Sequence, residues 1–194
     1  MKLPIFSIGN SILRKTCSEV SPGYPELESL IDDMWETMYA ANGSGLAAPQ
    51  VGHAIRLFIV DSKAAFENME PEDQEFFFNP DDSGITETFL NARIISRSEE
   101  TWDESEGCLS VPNMSQKVNR PWTITIEYFD RDFKKQVKTF GGTTARVIQH
   151  EYDHTEGIIY LDHINPLTRK LISGKLKKIS LGENPASYPM VYAK

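Results

Sequence analysis

An α+β fold is predicted for this chain, with antiparallel sheets around a central helix that bears an HExxH motif, and with further helices toward the N- and C-termini. Three observations predict it. Apolar residues recur at helical spacing between Tyr24 and Ala41 and again around His150. Alternation with a period of two marks a half-buried strand from Trp122 to Phe129. Strands come before the later helices, without the regular strand–helix alternation of a parallel sheet.

From Tyr24 to about Ala41, Leu27, Leu30, Ile31, Met34 and Met38 fall on one helical face with acidic residues between them, which gives an amphipathic helix. Asn42-Gly43 supplies its stop. The glycines of Gly43-Ser44-Gly45-Leu46-Ala47-Ala48-Pro49-Gln50 then let another backbone approach closely. A dinucleotide fingerprint would follow a strand and open a helix, whereas this segment follows a helix. Ile55 to Asp61 is a short apolar run and reads as a buried strand. Residues 62–88 are rich in acidic and polar groups and carry Pro71 and Pro80, so a long surface excursion is expected there.

Phe89 to Ser96 is the next expected strand. In Trp122 to Phe129, Ile124, Ile126 and Tyr128 alternate with Thr123, Thr125 and Glu127. The turn Asp130-Arg131-Asp132 joins this strand to Lys134–Phe140 as an antiparallel hairpin. Gly141-Gly142 breaks the hairpin, and Thr143 or Thr144 is expected to cap a helix that runs through Val147, Ile148, Glu151 and His154 until Gly157 stops it. Asn165-Pro166 opens a last, basic helix to about Ile179. One domain is expected over residues 1–180, with 181–194 as a C-terminal surface tail.

A chain of 194 residues, 40% hydrophobic and 25% charged, suits one packed domain. Its net charge of −8, with an acidic stretch from Glu67 to Glu75, disfavours a broad grip on nucleic acid, and no DNA partner is expected. No stretch approaches the roughly 18 apolar residues of a membrane span, and Pro4 interrupts the apolar run a signal peptide needs. A cytoplasmic protein that does not enter a membrane is expected. Cys17 and Cys108 form no CxxC pair, and a disulfide between them is not expected in a reducing compartment.

The sharpest chemical signal is His150-Glu151-Tyr152-Asp153-His154. Histidines four apart on a helix share a face and can reach a single metal ion, with Glu151 beside them as a base. Two surface histidines are the plainer alternative, but Val147, Ile148, Ile158 and Ile159 place the segment against a core. A catalytic ion of this kind needs a third protein ligand and an open position. Metzincin spacing would put a histidine six residues after His154, where Tyr160 stands. His163 fits that spacing poorly and reads as a loop residue, and His53 reads as a surface turn residue. Cys108 is the better donor. In Glu106-Gly107-Cys108-Leu109-Ser110-Val111-Pro112 it is framed by a glycine and a proline, and a thiolate is a strong, soft ligand. The bland alternative is a small core cysteine, the role assigned to Cys17.

In this order, Gly43–Gln50, Glu106–Ser110 and Gln149–His154 resemble the three motifs of the peptide deformylases. The similarity extends to Gly9-Asn10-Ser11-Ile12-Leu13-Arg14-Lys15 and to the Trp122–Phe140 hairpin, and leaves out residues 62–88 and the tail. The resemblance implies that Cys108, His150 and His154 hold one divalent ion with water as the fourth ligand: Fe(II) physiologically, with zinc, nickel or cobalt as substitutes. It implies a substrate, the N-formyl-methionyl end of a nascent peptide, and two products, formate and a free α-amino group. Glu151 would carry the proton, and the Gln50 amide and the Leu109 N–H would stabilise the oxyanion. Gly43, Ser44 and Gly45, with Glu106 and Gly107, would bind substrate, the glycine segment pairing with it as an added strand. Glu106 and Arg120 match a pair that holds the Cys108 loop, and Asp153 would orient a ligand histidine or be solvated. Ser44, Ser105 and Thr155 depart from the family pattern and imply a more polar methionine pocket.

The basic C-terminal helix, with Arg169, Lys170, Lys175, Lys177 and Lys178, reads first as a solvated face and second as a contact for the ribosome near its exit tunnel. A monomer is expected. Two rivals stand beside the deformylase. A zinc endopeptidase built on the same helix lacks a fitting downstream ligand, and a non-catalytic peptide-binding relative would have no need of an intact Gln50, Cys108, His150, Glu151 and His154.

Overall fold

A computed structural model describes residues 1–193. The chain opens with a short strand β1 (Ile5–Phe6), a 3-10 turn (Ser11–Arg14) and helix α1 (Leu27–Ala40). Strand β2 (Gly45–Ala47), a second 3-10 turn (Ala48–Val51) and β3 (Leu57–Asp61) follow, then the short helices α2 (Lys63–Glu67) and α3 (Pro71–Phe77) and the long strand β4 (Thr86–Arg97). After these come β5 (Thr101–Cys108), β6 (Val111–Pro121), β7 (Thr123–Phe129) and β8 (Lys135–Gly141). The chain continues with α4 (Gly142–Thr155), a 3-10 turn (Tyr160–Asp162), α5 (Pro166–Ser180) and β9 (Met190–Val191).

Five strands form one sheet in the order β2-β3-β4-β7-β8, each antiparallel to its neighbours, and β5 and β6 form a separate antiparallel hairpin. The α+β class stands, with one exception to antiparallel pairing: β1 and β9 run parallel. The larger sheet is covered on both faces. Leu57 and Ile59 of β3 point to α1 and pack with Leu30, Ile31, Met34 and Met38, whereas Phe58 and Val60 point the other way and pack with Ala145 and Ile148 of α4. This double burial explains why β3 reads as an unbroken apolar run. Its aromatic layer continues through Phe89, which stacks on Phe58 at 4.7 Å between ring centroids. A third cluster joins β6 to the C-terminal part of the chain through Val111, Met114, Val118, Ile159, Tyr160, Leu161 and Ile179.

Helix α1 buries the predicted stripe and ends at Asn42, whose φ of 54° turns the chain out of the helix. Asn165 caps α5 by accepting from Leu167 N–H at 2.8 Å. Residues 62–88 lie mostly at the surface, and within that excursion they hold α2, α3 and the buried Phe78 and lie against the start of α4. There Gly142, at φ +52°, sits so close to the chain that an added Cβ would stand 2.3 Å from the Phe77 carbonyl oxygen. Neither Thr143 nor Thr144 caps α4. Gly141 occupies that position, and the Thr144 hydroxyl instead shares a 2.9 Å hydrogen bond with Ser62. The C-terminal segment read as a surface tail pairs with the N-terminal strand: Ile5 pairs with Met190 and Phe6 with Val191, and Ala193 N–H donates to the Ser180 carbonyl at 2.9 Å.

Candidate metal centre

Helix α4 buries His150, Glu151 and His154 because its inward face packs Ala145 and Ile148 into the sheet core. Cys108 ends β5, where the two-residue turn Leu109-Ser110 reverses the chain into β6. These elements bring Cys108, His150 and His154 together, their donor atoms all within 4.8 Å of one another. The Cys108 sulfur is 3.3 Å from His154 Nε2. One thiolate and two imidazoles at this separation suit a first-row divalent ion, with room for a further ligand. Burial alone raises the Cys108 thiol. The charge of His154 and hydrogen bonds from His150 and His154 outweigh it and bring the pKa down to about 5. Cys17 stays free and buried, and His163 lies outside the cluster.

Glu106 lines the cleft and is also tied into a network of charged side chains. Its carboxylate takes a two-point bond from Arg120, Nε to Oε1 at 2.6 Å and Nη2 to Oε2 at 2.9 Å, and a third from Arg146 Nη1 at 2.6 Å. The same carboxylate lies 3.0 Å from His150 Nδ1, which leaves Nε2 as the ring nitrogen free for an ion. Burial raises the carboxyl pKa, but His150 and Arg120 hold it well below the usual range. Asp153 does not orient a ligand histidine; it accepts from Arg120 at 2.8 Å and bonds His163 at 2.7 Å. Arg146 escaped the sequence reading. One turn before His150 on α4, it bonds the Val118 and Trp102 carbonyls and lies over the Trp102 ring, 4.3 Å from its centroid.

Glu151 is buried beside the cluster, and its Oε2 has no hydrogen-bond partner among the described residues. Burial pushes its pKa up to about 7, against the opposing charges of His150 and His154. Gln50 is fixed by Ala47 N–H, which donates to its Oε1 at 2.8 Å, so that Nε2 points at Ser110 Oγ (3.2 Å) and the Cys108 sulfur (3.6 Å). Cys108, His150 and Glu151 border a cleft of about 620 Å³, lined also by Gly43, Ser44, Gly45, Gly107 and Leu109 among others. Strand β2, at the edge of its sheet, contributes Gly45 to that lining.

A family model described as polypeptide deformylase matches residues 2–170. The chain belongs to the polypeptide deformylase family. The peptide deformylase of Flavobacterium johnsoniae is 44% identical over 194 residues, covering 100% of this chain and 97% of its own. That of Christiangramia forsetii is 43% identical over 190 residues, covering 98% and 95%. Among solved structures, the peptide deformylase of Ehrlichia chaffeensis superposes with a TM-score of 0.79 at 31% identity, over 92% of this chain and 96% of that one. The match to the Flavobacterium deformylase thus spans residues 62–88 and the C-terminal segment as well as the three motifs.

Within this deformylase, the positions that depart from the family pattern separate. Ser44 and Ser105 line the cleft, but Thr155 does not: it is buried behind the helix, where its hydroxyl donates to the Tyr152 carbonyl and its carbonyl accepts from Cys17 N–H. Met69 and Phe77, from the segment expected to leave the core, form part of the cleft wall. Gly45 has a second reason to be glycine, since a Cβ there would lie 2.6 Å from Glu151 Oε1. Gly45→Ala is therefore expected to displace the carboxylate and lower kcat by roughly 10²-fold. Bound metal should be retained, as checked by steady-state kinetics and metal analysis on the same preparation.

Proposed function

We propose that this deformylase hydrolyses the N-terminal formamide of nascent formyl-methionyl peptides at the Cys108–His150–His154 site, with Glu151 moving the proton. The observation that carries the assignment is the grouping of the Cys108 sulfur with the imidazoles of His150 and His154, at a cleft that Cys108 and His150 line together with the buried, unpartnered carboxylate of Glu151. A divalent ion held by these three donors would supply an acidified water and a positive charge beside the formyl oxygen. Fe(II) is the proposed physiological ion, with zinc, nickel or cobalt accepted by the same donors.

The remaining steps belong to the chain's own groups. The peptide's extended N-terminal end lies along the Gly43–Gly45 edge, as a strand added to β2. Glu151, with its pKa drawn up to about 7, takes the proton from the attacking water and delivers it to the departing nitrogen. As the formyl carbon becomes tetrahedral, charge gathers on its oxygen, and Gln50 Nε2 and the Leu109 N–H are the donors placed to meet it. The C–N bond then breaks to leave formate and a free α-amino group. Residues 1–180, with the C-terminal segment packed on them, are proposed as the catalytic domain of a monomeric cytoplasmic enzyme that meets its substrate as chains emerge from the ribosome. No helix among the described residues is long and apolar enough to cross a membrane.

Formate release from formyl-Met-Ala-Ser by anaerobically purified, metal-analysed protein tests this function. Release is expected with about one ion per chain. Cleavage of an internal peptide bond instead would favour the endopeptidase, and binding of the formyl peptide without formate would favour a non-catalytic relative.

A further inference from the structure

The turn that carries Leu109 is clasped from outside by three donors on distant parts of the chain. Gln50 Nε2 donates to Ser110 Oγ at 3.2 Å, Ile8 N–H donates to the Ser110 carbonyl at 2.8 Å, and the Tyr188 hydroxyl donates to the Leu109 carbonyl at 2.8 Å. Tyr188 comes from the C-terminal segment and lines the cleft together with Leu109. That segment is secured immediately after it. Ile5 N–H donates to the Pro189 carbonyl, Ser7 N–H to the Val191 carbonyl, both at 2.9 Å, and Asn10 Nδ2 to the Val191 carbonyl at 3.0 Å. Two residues reverse the chain between β5 and β6, and the ladder is irregular between Gly107 and Cys108, so the outside bonds add to what the hairpin itself fixes.

We propose that Tyr188 is a positioning residue of the active site: its hydroxyl holds the Leu109–Ser110 peptide plane through the Leu109 carbonyl, and with Cys108 fixed at the end of β5 this limits how far Leu109 and its N–H can turn. The inference rests on the oxyanion role given to that N–H. Among the described residues Tyr188 makes no hydrogen bond to the ion's donors, and it acts through the backbone of Leu109. The C-terminal segment is then part of the catalytic architecture. It ties the N-terminal strand, the Cys108 turn and the cleft into one unit.

Tyr188→Phe removes only the hydroxyl. In formate release from formyl-Met-Ala-Ser it should lower kcat about tenfold with KM within twofold, the signature of an interaction made in the transition state alone. Metal content and Tm should match the wild type. Amide hydrogen exchange across Cys108–Ser110 should quicken, a readout that needs no turnover. Tyr24→Phe is the control, since that side chain packs just before α1 and is not part of the cleft lining, and its kinetics should be unchanged. An unchanged kcat and unchanged exchange in Tyr188→Phe overturn the proposal, as does a fall in Tm with kcat preserved, which would make the hydroxyl a stabilising contact only. If the wild type released no formate while exchange still quickened in the variant, the fault would lie with the proposed reaction and the clasp itself would stand.

Discussion

Glu151→Gln is expected to keep its bound ion and lose about 10³-fold in kcat, whereas His154→Ala is expected to lose the ion itself. Both residues sit on the inward face of α4, three positions apart, so a generic disturbance of that helix would affect them alike. Their surroundings separate them. His154 Nε2 faces the Cys108 sulfur at 3.3 Å and is one of three donors; removing it leaves two, too few to hold a catalytic ion of this type. Glu151 lies outside that set, with one carboxylate oxygen unpartnered and the other against Gly45. Glutamine has the same shape, so the packing on Gly45 survives, but its amide cannot take a proton from water and pass it on. Replacing a buried, unpaired carboxylate by an amide should leave Tm unchanged or slightly raised. Metal analysis beside single-turnover kinetics distinguishes the roles. Loss of the ion in Glu151→Gln would make Glu151 a ligand, and a full complement of metal in His154→Ala would discard the proposed donor set.

The parts of this site that were legible in the sequence are those encoded locally. His150 and His154 declare themselves by helical spacing, Cys108 by its glycine–proline frame, and the stripe on α1 by period. The parts that were not legible depend on distant chain. The β5–β6 hairpin escaped because the less exposed positions of β5 are Trp102, Glu104, Glu106 and Cys108, two of them acidic, so no apolar alternation marks Thr101–Cys108. Residues 62–88 read as a surface excursion on their acids and prolines, and the two short helices within it were not seen, although Pro71 sits where one begins. Tyr188 had no local signal at all, because its position follows from pairing between β1 and β9 at opposite ends of the chain. Arg146 did leave a trace: an arginine one turn before a candidate ligand, on the face that packs inward, needs a buried carboxylate, and Glu106 was the acid already tied to that site.

That buried charge cluster carries the largest expected effect on stability. Arg120, Arg146, Glu106 and Asp153 balance as two cations and two anions, with each guanidinium shared between carboxylates, carbonyls or an aromatic face. Arg120→Met should cost about 3–5 kcal/mol, because it strips Glu106 of its two-point partner and Asp153 of its nearest guanidinium while both remain buried. For a chain of this size that corresponds to a fall in Tm of roughly 10 °C. The direct Coulomb attraction is not the main reason, since burying the pair already cost much of what their attraction returns; the penalty comes from the anions left behind. The double variant Arg120→Met/Glu106→Gln tests this point. It leaves Asp153 with His163 and Arg146 with the Val118 and Trp102 carbonyls, so the cluster is neutral again. Its destabilisation should be smaller than the sum of the two single variants by about 1–3 kcal/mol, measured by urea denaturation of the metal-loaded proteins. Strict additivity would mean that Glu106 and Arg120 do not act as a unit. It would also remove the physical basis for treating the cluster as the frame that aims His150 at the ion.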